Sequence, residues 1–158
     1  MKTPSEAAKE FLSKYWDGTL PVQPKAIAEK VGIEVIPDPD LAKDGLSGKF
    51  EYVDGKPVIR YNPSEPEVRQ RFTIAHEFGH FALDHRGVFR DPTKNFSLSN
   101  YDPKEVAANK FAAECLMPAP NVRSLVLNGS VHLNDLASEF NVSEVAMRHR
   151  LSNLGLTD

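Results

Sequence analysis

Between Arg71 and His85 the chain reads Arg71-Phe72-Thr73-Ile74-Ala75-His76-Glu77-Phe78-Gly79-His80-Phe81-Ala82-Leu83-Asp84-His85. It carries the spacing His76-Glu77-x-x-His80. On a helix, residues four apart are separated by one turn plus about 40°, so both imidazoles leave one face and can share a cation. Glu77 lies about 100° round from His76. It can reach a water beside that cation without becoming a ligand from the same turn, which is the position of a general base. The competing reading is a surface helix with two solvated histidines. Against it, Ile74, Phe78 and Phe81 fall on the opposite side and give the helix an apolar back that must be covered. Gly79 costs roughly 1 kcal/mol against Ala in a helix interior, which points to a close backbone approach there.

Covering that back requires a core, and 158 residues with 41% hydrophobic content are enough for one and short for two. The expected organisation is a single domain over 1–158, with a core over 1–118 and a helical segment over 119–158. A net charge of −3 and a pI near 6.0 give no footprint for nucleic acid or an anionic membrane. The lone Cys115 excludes an internal disulfide. The first residues lack the apolar stretch of a signal peptide, and no run approaches bilayer length. A cytoplasmic protein is expected.

In chain order, Thr3-Pro4-Ser5-Glu6 is a capping box with Pro at the first helical position, followed by Ala8, Phe11, Leu12 and Tyr15 at helical spacing. Pro24 starts a second helix that Gly32 stops, and Ile33–Ile36 alternates as a short strand. Leu41–Gly48 reads as a loop. Phe50–Val53 and Val58–Tyr61, joined through Asp54-Gly55, predict a β-hairpin. Pro57 lacks a ladder donor, which predicts that the second strand lies on an exposed edge, where an extended peptide could add by backbone pairing. Ser64-Glu65-Pro66-Glu67 is a second capping box, launching the HExxH helix. After His85 a polar loop is expected through Asn100, long enough to suggest a lid or substrate contact.

A hydrolytic zinc site usually takes three protein ligands. The candidates for the third are Glu105, Glu114, His85 and Asp84. In a helix from Asp102 to about Leu116, Glu105 shares a face with Asn109, Ala112 and Leu116, whereas Lys110 and Glu114 fall on the opposite face, expected to be solvated. Geometry therefore favours Glu105, with Asn109 one turn on as a partner for the outer nitrogen of a ligand histidine. The rival role for Glu105 is to close a capping box with Asp102. Asp84 and His85 read as flanking or substrate-side groups.

Leu133–Phe140, the break Asn141-Val142-Ser143 and a helix from Glu144 to Leu154 have the layout of a helix-turn-helix, with Leu136, Ala137, Phe140, Val142, Ala146, Leu151 and Leu154 as its core. Only Arg148 and Arg150 oppose Asp135, Glu139, Glu144 and Asp158 in this segment. That balance disfavours a polyanion, and two helices covering the core or docking a partner fit better. His132 and His149 read as surface or packing residues.

The stretch from Arg71 to His80, followed by Glu105-Val106-Ala107-Ala108-Asn109-Lys110-Phe111-Ala112-Ala113-Glu114-Cys115-Leu116-Met117-Pro118, resembles the ImmA/IrrE-type metallopeptidases, from roughly Pro21 to Pro118. Phe78 and Cys115 stand where aliphatic residues are usual. The resemblance implies an α+β, zincin-like fold, with a small antiparallel sheet packed on the HExxH helix and a ligand-bearing second helix. It implies Zn2+ held by His76, His80 and Glu105, with Glu77 as catalytic acid/base. It also implies a regulatory endopeptidase whose partner is a helix-turn-helix repressor or an antitoxin-like protein, with no direct nucleic-acid binding and no membrane. Tyr101, Tyr61, His85 and Arg71 are candidates for the donor that stabilises the oxyanion. Two other functions stay open: a zinc-containing regulator or toxin component that binds its partner without cutting it, and a DNA-binding regulator working through the C-terminal helices.

Overall fold

The computed structural model describes residues 2–85, 87–93, 102–129 and 132–157. Tyr101, and the parts of the expected Arg86–Asn100 loop at residue 86 and over 94–100, lie outside the described residues. Helix α1 (Pro4–Tyr15) starts with the expected reciprocal cap, in which the Glu6 amide donates to Thr3 Oγ1 at 3.1 Å and the Thr3 amide to Glu6 Oε1 at 2.9 Å. Helix α2 (Pro24–Val31) ends at Gly32 in the left-handed conformation and leads into strand β1 (Glu34–Pro37). The stretch expected to be a loop holds a single helical turn, α3 (Asp40–Lys43), before strand β2 (Leu46–Val53) begins.

Strand β3 (Lys56–Tyr61) returns antiparallel to β2 through Asp54 and Gly55, both at positive φ. The sheet order is β1-β3-β2-β4, with β4 formed by Phe89–Pro92 inside the expected polar loop. Strand β3 is therefore interior, which corrects the expectation of an exposed edge. Strand β1 pairs parallel to it from Glu34↔Val58 to Pro37↔Tyr61. Pro57 sits one residue ahead of that ladder, so its missing donor leaves no gap in it. Among the described residues the sheet is thus mixed, with only the β1–β3 pair parallel and with β1 and β4 at its edges.

Helix α4 (Glu67–Ala82) carries the HExxH residues. Its expected Ser64 cap is absent: the Ser64 amide and hydroxyl both donate to Asn62 Oδ1, at 3.0 and 2.6 Å, and the helix starts after Pro66 instead. Phe50 and Ile59, cross-strand partners, are fully buried on the face of the sheet that α4 covers. Helix α5 (Pro103–Leu116) crosses the other flank of α4, where a Cβ on Gly79 would stand 3.1 Å from Ala108 Cα and its carbonyl oxygen. Glycine at 79 thus sets how closely the two helices meet. Phe78 packs on Phe11 of α1 and Phe111 of α5, with ring centroids 5.0 and 5.1 Å away.

Helices α6 (Ala119–Leu127), α7 (Leu133–Phe140) and α8 (Glu144–Asn153) complete the described chain. Asn141, at φ 51°, turns α7 into α8, whose first turn is capped by Ser143. Leu136, Ala137, Phe140, Val142, Met147 and Leu151 are buried in the common core. No helix among the described residues is long and apolar enough to cross a membrane.

Candidate metal centre

The histidine face of α4 is as buried as its back. His76, Glu77 and His80 are 1%, 0% and 0% exposed. Helical spacing turns both imidazoles toward α5, and the close crossing at Gly79 brings Glu105 from the first turn of α5 to meet them. Glu105 Oε1 lies 2.8 Å from His80 Nε2 and 3.3 Å from His76 Nε2. The helix start is satisfied without it, because Asp102 Oδ1 accepts the Lys104 amide at 2.9 Å. The side chain is free to face the histidines.

Their outer nitrogens are held as well. His76 Nδ1 is 2.8 Å from Asn109 Oδ1, one turn along α5 from Glu105. His80 Nδ1 is 2.9 Å from His85 Nδ1. Asp84 at φ 58° ends the helix, and the His85 amide turns back to donate to the His80 carbonyl at 2.9 Å, which folds the His85 ring over that of His80. Fixing an outer nitrogen selects the tautomer in which Nε2 faces the site.

A further carboxylate joins them. Asp91 of β4 is 5% exposed and places Oδ1 3.3 Å from His76 Nε2. His76, His80, Asp91 and Glu105 each offer a ligand atom within 4.8 Å of the others. Sequence reasoning misses Asp91, which stands in no motif and falls inside the expected loop. Its only available signal was the Phe89/Asp91 alternation next to Pro92.

The electrostatics suit a cation. Burial would lower the His76 pKa, but hydrogen bonds to Asp91 and Glu105 raise it to about 9. Burial works against ionised Glu105, yet the two imidazoles hold its carboxyl far below the usual range. Glu77 is pushed well above the usual carboxylate value by burial, reinforced by neighbouring Asp91. Among the described residues, Glu77 and Asp91 Oδ2 find no partner but each other, two buried carboxyl groups close enough to interact. Buried carboxyl oxygens with no other partner are costly in a purely protein environment. His76, His80, Asp91 and Glu105 make a nitrogen and oxygen donor set that could hold a metal ion.

The other candidates lie elsewhere. Glu114, expected on a solvated face, is 3% exposed and accepts from Arg150 Nη2 at 2.9 Å, Ser5 Oγ at 3.0 Å and the Ala119 amide at 3.0 Å. Arg71 is buried and donates to the carbonyls of Val22, Phe140 and Asn141, so it braces the C-terminal helices and faces no oxyanion. Tyr61 packs in the core beneath Lys25. Asp84 is exposed and outside the cluster.

An α+β domain whose HExxH helix meets a carboxylate from the next long helix, beside a small mixed sheet, is of the zincin-like class. Within that class the chain belongs to the peptidase family described as the IrrE N-terminal-like domain, which it matches over residues 28–152. A solved structure described as a Mycobacterium tuberculosis transcriptional regulator is similar to it, with a TM-score of 0.59 at 18% identity. That likeness covers 94% of this chain and 46% of the other, so the chain spans about half the length of that structure. At this identity the likeness concerns the fold alone. No curated protein matches the chain.

Proposed function

We propose that this protein is a zinc-dependent endopeptidase with a regulatory role, acting on a helix-turn-helix repressor or antitoxin-type partner. The observation that carries the reading is the convergence of His76 Nε2, His80 Nε2 and Glu105 Oε1, with the carboxyl group of Glu77 buried beside them. Family membership supports the peptidase class. The regulatory role rests on the resemblance of the two motif stretches and on the description of the structural neighbour, and the partner on that resemblance alone.

In this reading His76, His80 and Glu105 hold the ion, while Asn109 and His85 orient the two imidazoles. A bound zinc supplies a Lewis acid that polarises the scissile carbonyl and brings the pKa of a water down to roughly 7. Glu77 would accept a proton from a water beside the site and pass it to the leaving amine.

The test couples metal analysis with partner cleavage. The purified chain is expected to hold about one zinc, and Glu105→Ala to lose it. Glu77→Gln should keep fold and metal but lose cleavage of a co-expressed partner, since the amide is near-isosteric and cannot accept a proton. Retained cleavage by that variant removes Glu77 from the mechanism. Antagonism of the partner that survives without cleavage would favour a regulator that binds without cutting.

DNA binding gains nothing from the structure. Of the two arginines in α8, Arg150 is buried against Glu114 and Arg148 is exposed.

A further inference from the structure

A hydrolytic metal site leaves one position for water, whereas a structural site is closed by four protein ligands. The cluster here has a fourth donor in place. Ligands about 2.0–2.1 Å from a tetrahedral zinc stand about 3.3 Å apart. His76 Nε2 lies 3.3 Å from Glu105 Oε1 and 3.3 Å from Asp91 Oδ1. Asp91 therefore stands at ligand spacing from His76, as Glu105 does.

The way Asp91 arrives matters as much as its distance. Strand β4 adds antiparallel to β2, with Gly48↔Asp91 and Phe50↔Phe89 in register and an irregularity between Leu46 and Gly48. Alternate residues of a strand share a face. Phe89 stacks on the His80 ring, centroids 4.0 Å apart and planes at 12°, and Asp91 reaches His76. Two successive residues of one strand face thus cover the two histidines. Gly48, the partner of Asp91, also lets α4 lie close against β2, because a Cβ there would overlap Thr73 Cγ2 and stand 2.8 Å from Glu77 Oε2. Glu77 and Asp91 interact directly, so they approach the same space from the helix and the strand. A water serving Glu77 must occupy that space.

We propose that Asp91 is a fourth protein ligand, carried on β4 into the position that hydrolysis needs for water, so that this form of the protein is a closed resting state. Opening it requires β4 to leave β2. The β2 edge so freed is an antiparallel template for an extended peptide across the metal. The four residues of β4 thus stand where a substrate strand would pair. Edge segments with few ladder bonds are drawn from the low-stability end of a fold, which makes such an exchange feasible.

This inference rests on the metal reading above, and the test separates the two. The full chain is loaded with Co2+, and its visible absorption is followed as azide is added. The wild type should bind Co2+ with a spectrum that azide leaves unchanged, because no position is open. Asp91→Asn and Asp91→Ala should bind Co2+ at least about tenfold more weakly, and their spectra should shift with azide. An azide-induced shift in the wild type overturns the proposal without reference to any variant. So does unchanged Co2+ affinity in both variants. If the wild type takes up no Co2+ at all, the zinc reading falls together with this one.

Discussion

Gly48 of β2 and Glu77 of α4 meet so closely that a methyl group on the glycine would stand 2.8 Å from Glu77 Oε2 and overlap Thr73 Cγ2. The HExxH carboxylate is thus positioned by an absent side chain on the neighbouring strand. Thr73 is fully buried, so neither neighbour has free space to retreat into. Gly48→Ala is expected to cost about 1–3 kcal/mol through overpacking, a fall of roughly 2–12 °C in Tm for a chain of this size. Thermal unfolding measures the cost. Partner cleavage should fall further than zinc binding does, since Glu77 moves while the ligand atoms keep their places.

The second prediction concerns Glu114, whose buried carboxylate ties α1, the start of α6 and α8 together. Burial alone would raise its pKa, but the Ala119 amide, Arg150 and Ser5 outweigh it and hold the pKa below the usual value. A depressed folded-state pKa stabilises above the unfolded value of about 4.3, and that stabilisation is lost as pH falls through the folded value. Glu114→Gln leaves Arg150 buried without its counter-charge and should destabilise by about 3 kcal/mol at pH 7. Melting curves of the two proteins should converge as pH drops below 4. A constant gap would show that the charge of Glu114 is not what matters.

Metal uptake should depend on pH through His76. In the metal-free protein its pKa is raised to about 9, so near neutrality the ring carries a proton that an ion must displace. Zinc affinity is therefore expected to climb as pH rises from 6 and to level off, for this group, above about 9. The slope approaches tenfold per pH unit where one proton is released per ion. Competition against a chromophoric chelator across that range measures it. A flat profile would remove His76 from the ligand set or from its pairing with Asp91 and Glu105.

What the sequence revealed followed from local rules. The HExxH face and the Glu105/Asn109 face each depend on one helix period, and the Thr3 cap and the Asp54-Gly55 turn are complete within four residues. The misjudged features are tertiary. Strand β3 acquires its parallel neighbour from residues 34–37, which no local pattern announces, and with that pairing the expected edge disappears. The helix period of α5 implies one buried face and a solvated Glu114, whereas α4, α1 and α8 contact α5 from several sides. Asp91 joins the site only through strand pairing, and Ser64 turned to Asn62 instead of the helix start.

Arg71 supplies the last prediction. Its guanidinium donates to Val22 O at 2.7 Å, Asn141 O at 3.0 Å and Phe140 O at 3.2 Å, with Gln23 Oε1 at 3.3 Å. Phe140 and Asn141 close α7, where the last carbonyls lack helical partners and favour a cation. One side chain from the HExxH helix thus anchors the α7–α8 hairpin to the core. Arg71→Met keeps the apolar stem and removes the donors, leaving several buried carbonyls unsatisfied at about 1–3 kcal/mol each if no water replaces the guanidinium. The loss should be local, because α4 keeps its contacts with the sheet and α5 while α7 and α8 lose their anchor. Hydrogen exchange followed by mass spectrometry is expected to show faster exchange over residues 133–153, with α4 near wild type. Zinc binding should persist, since His76, His80 and Glu105 do not depend on that hairpin. Uniform loss of protection across the chain would instead make Arg71 part of the global core, and the α7–α8 hairpin would then not be a separately anchored unit.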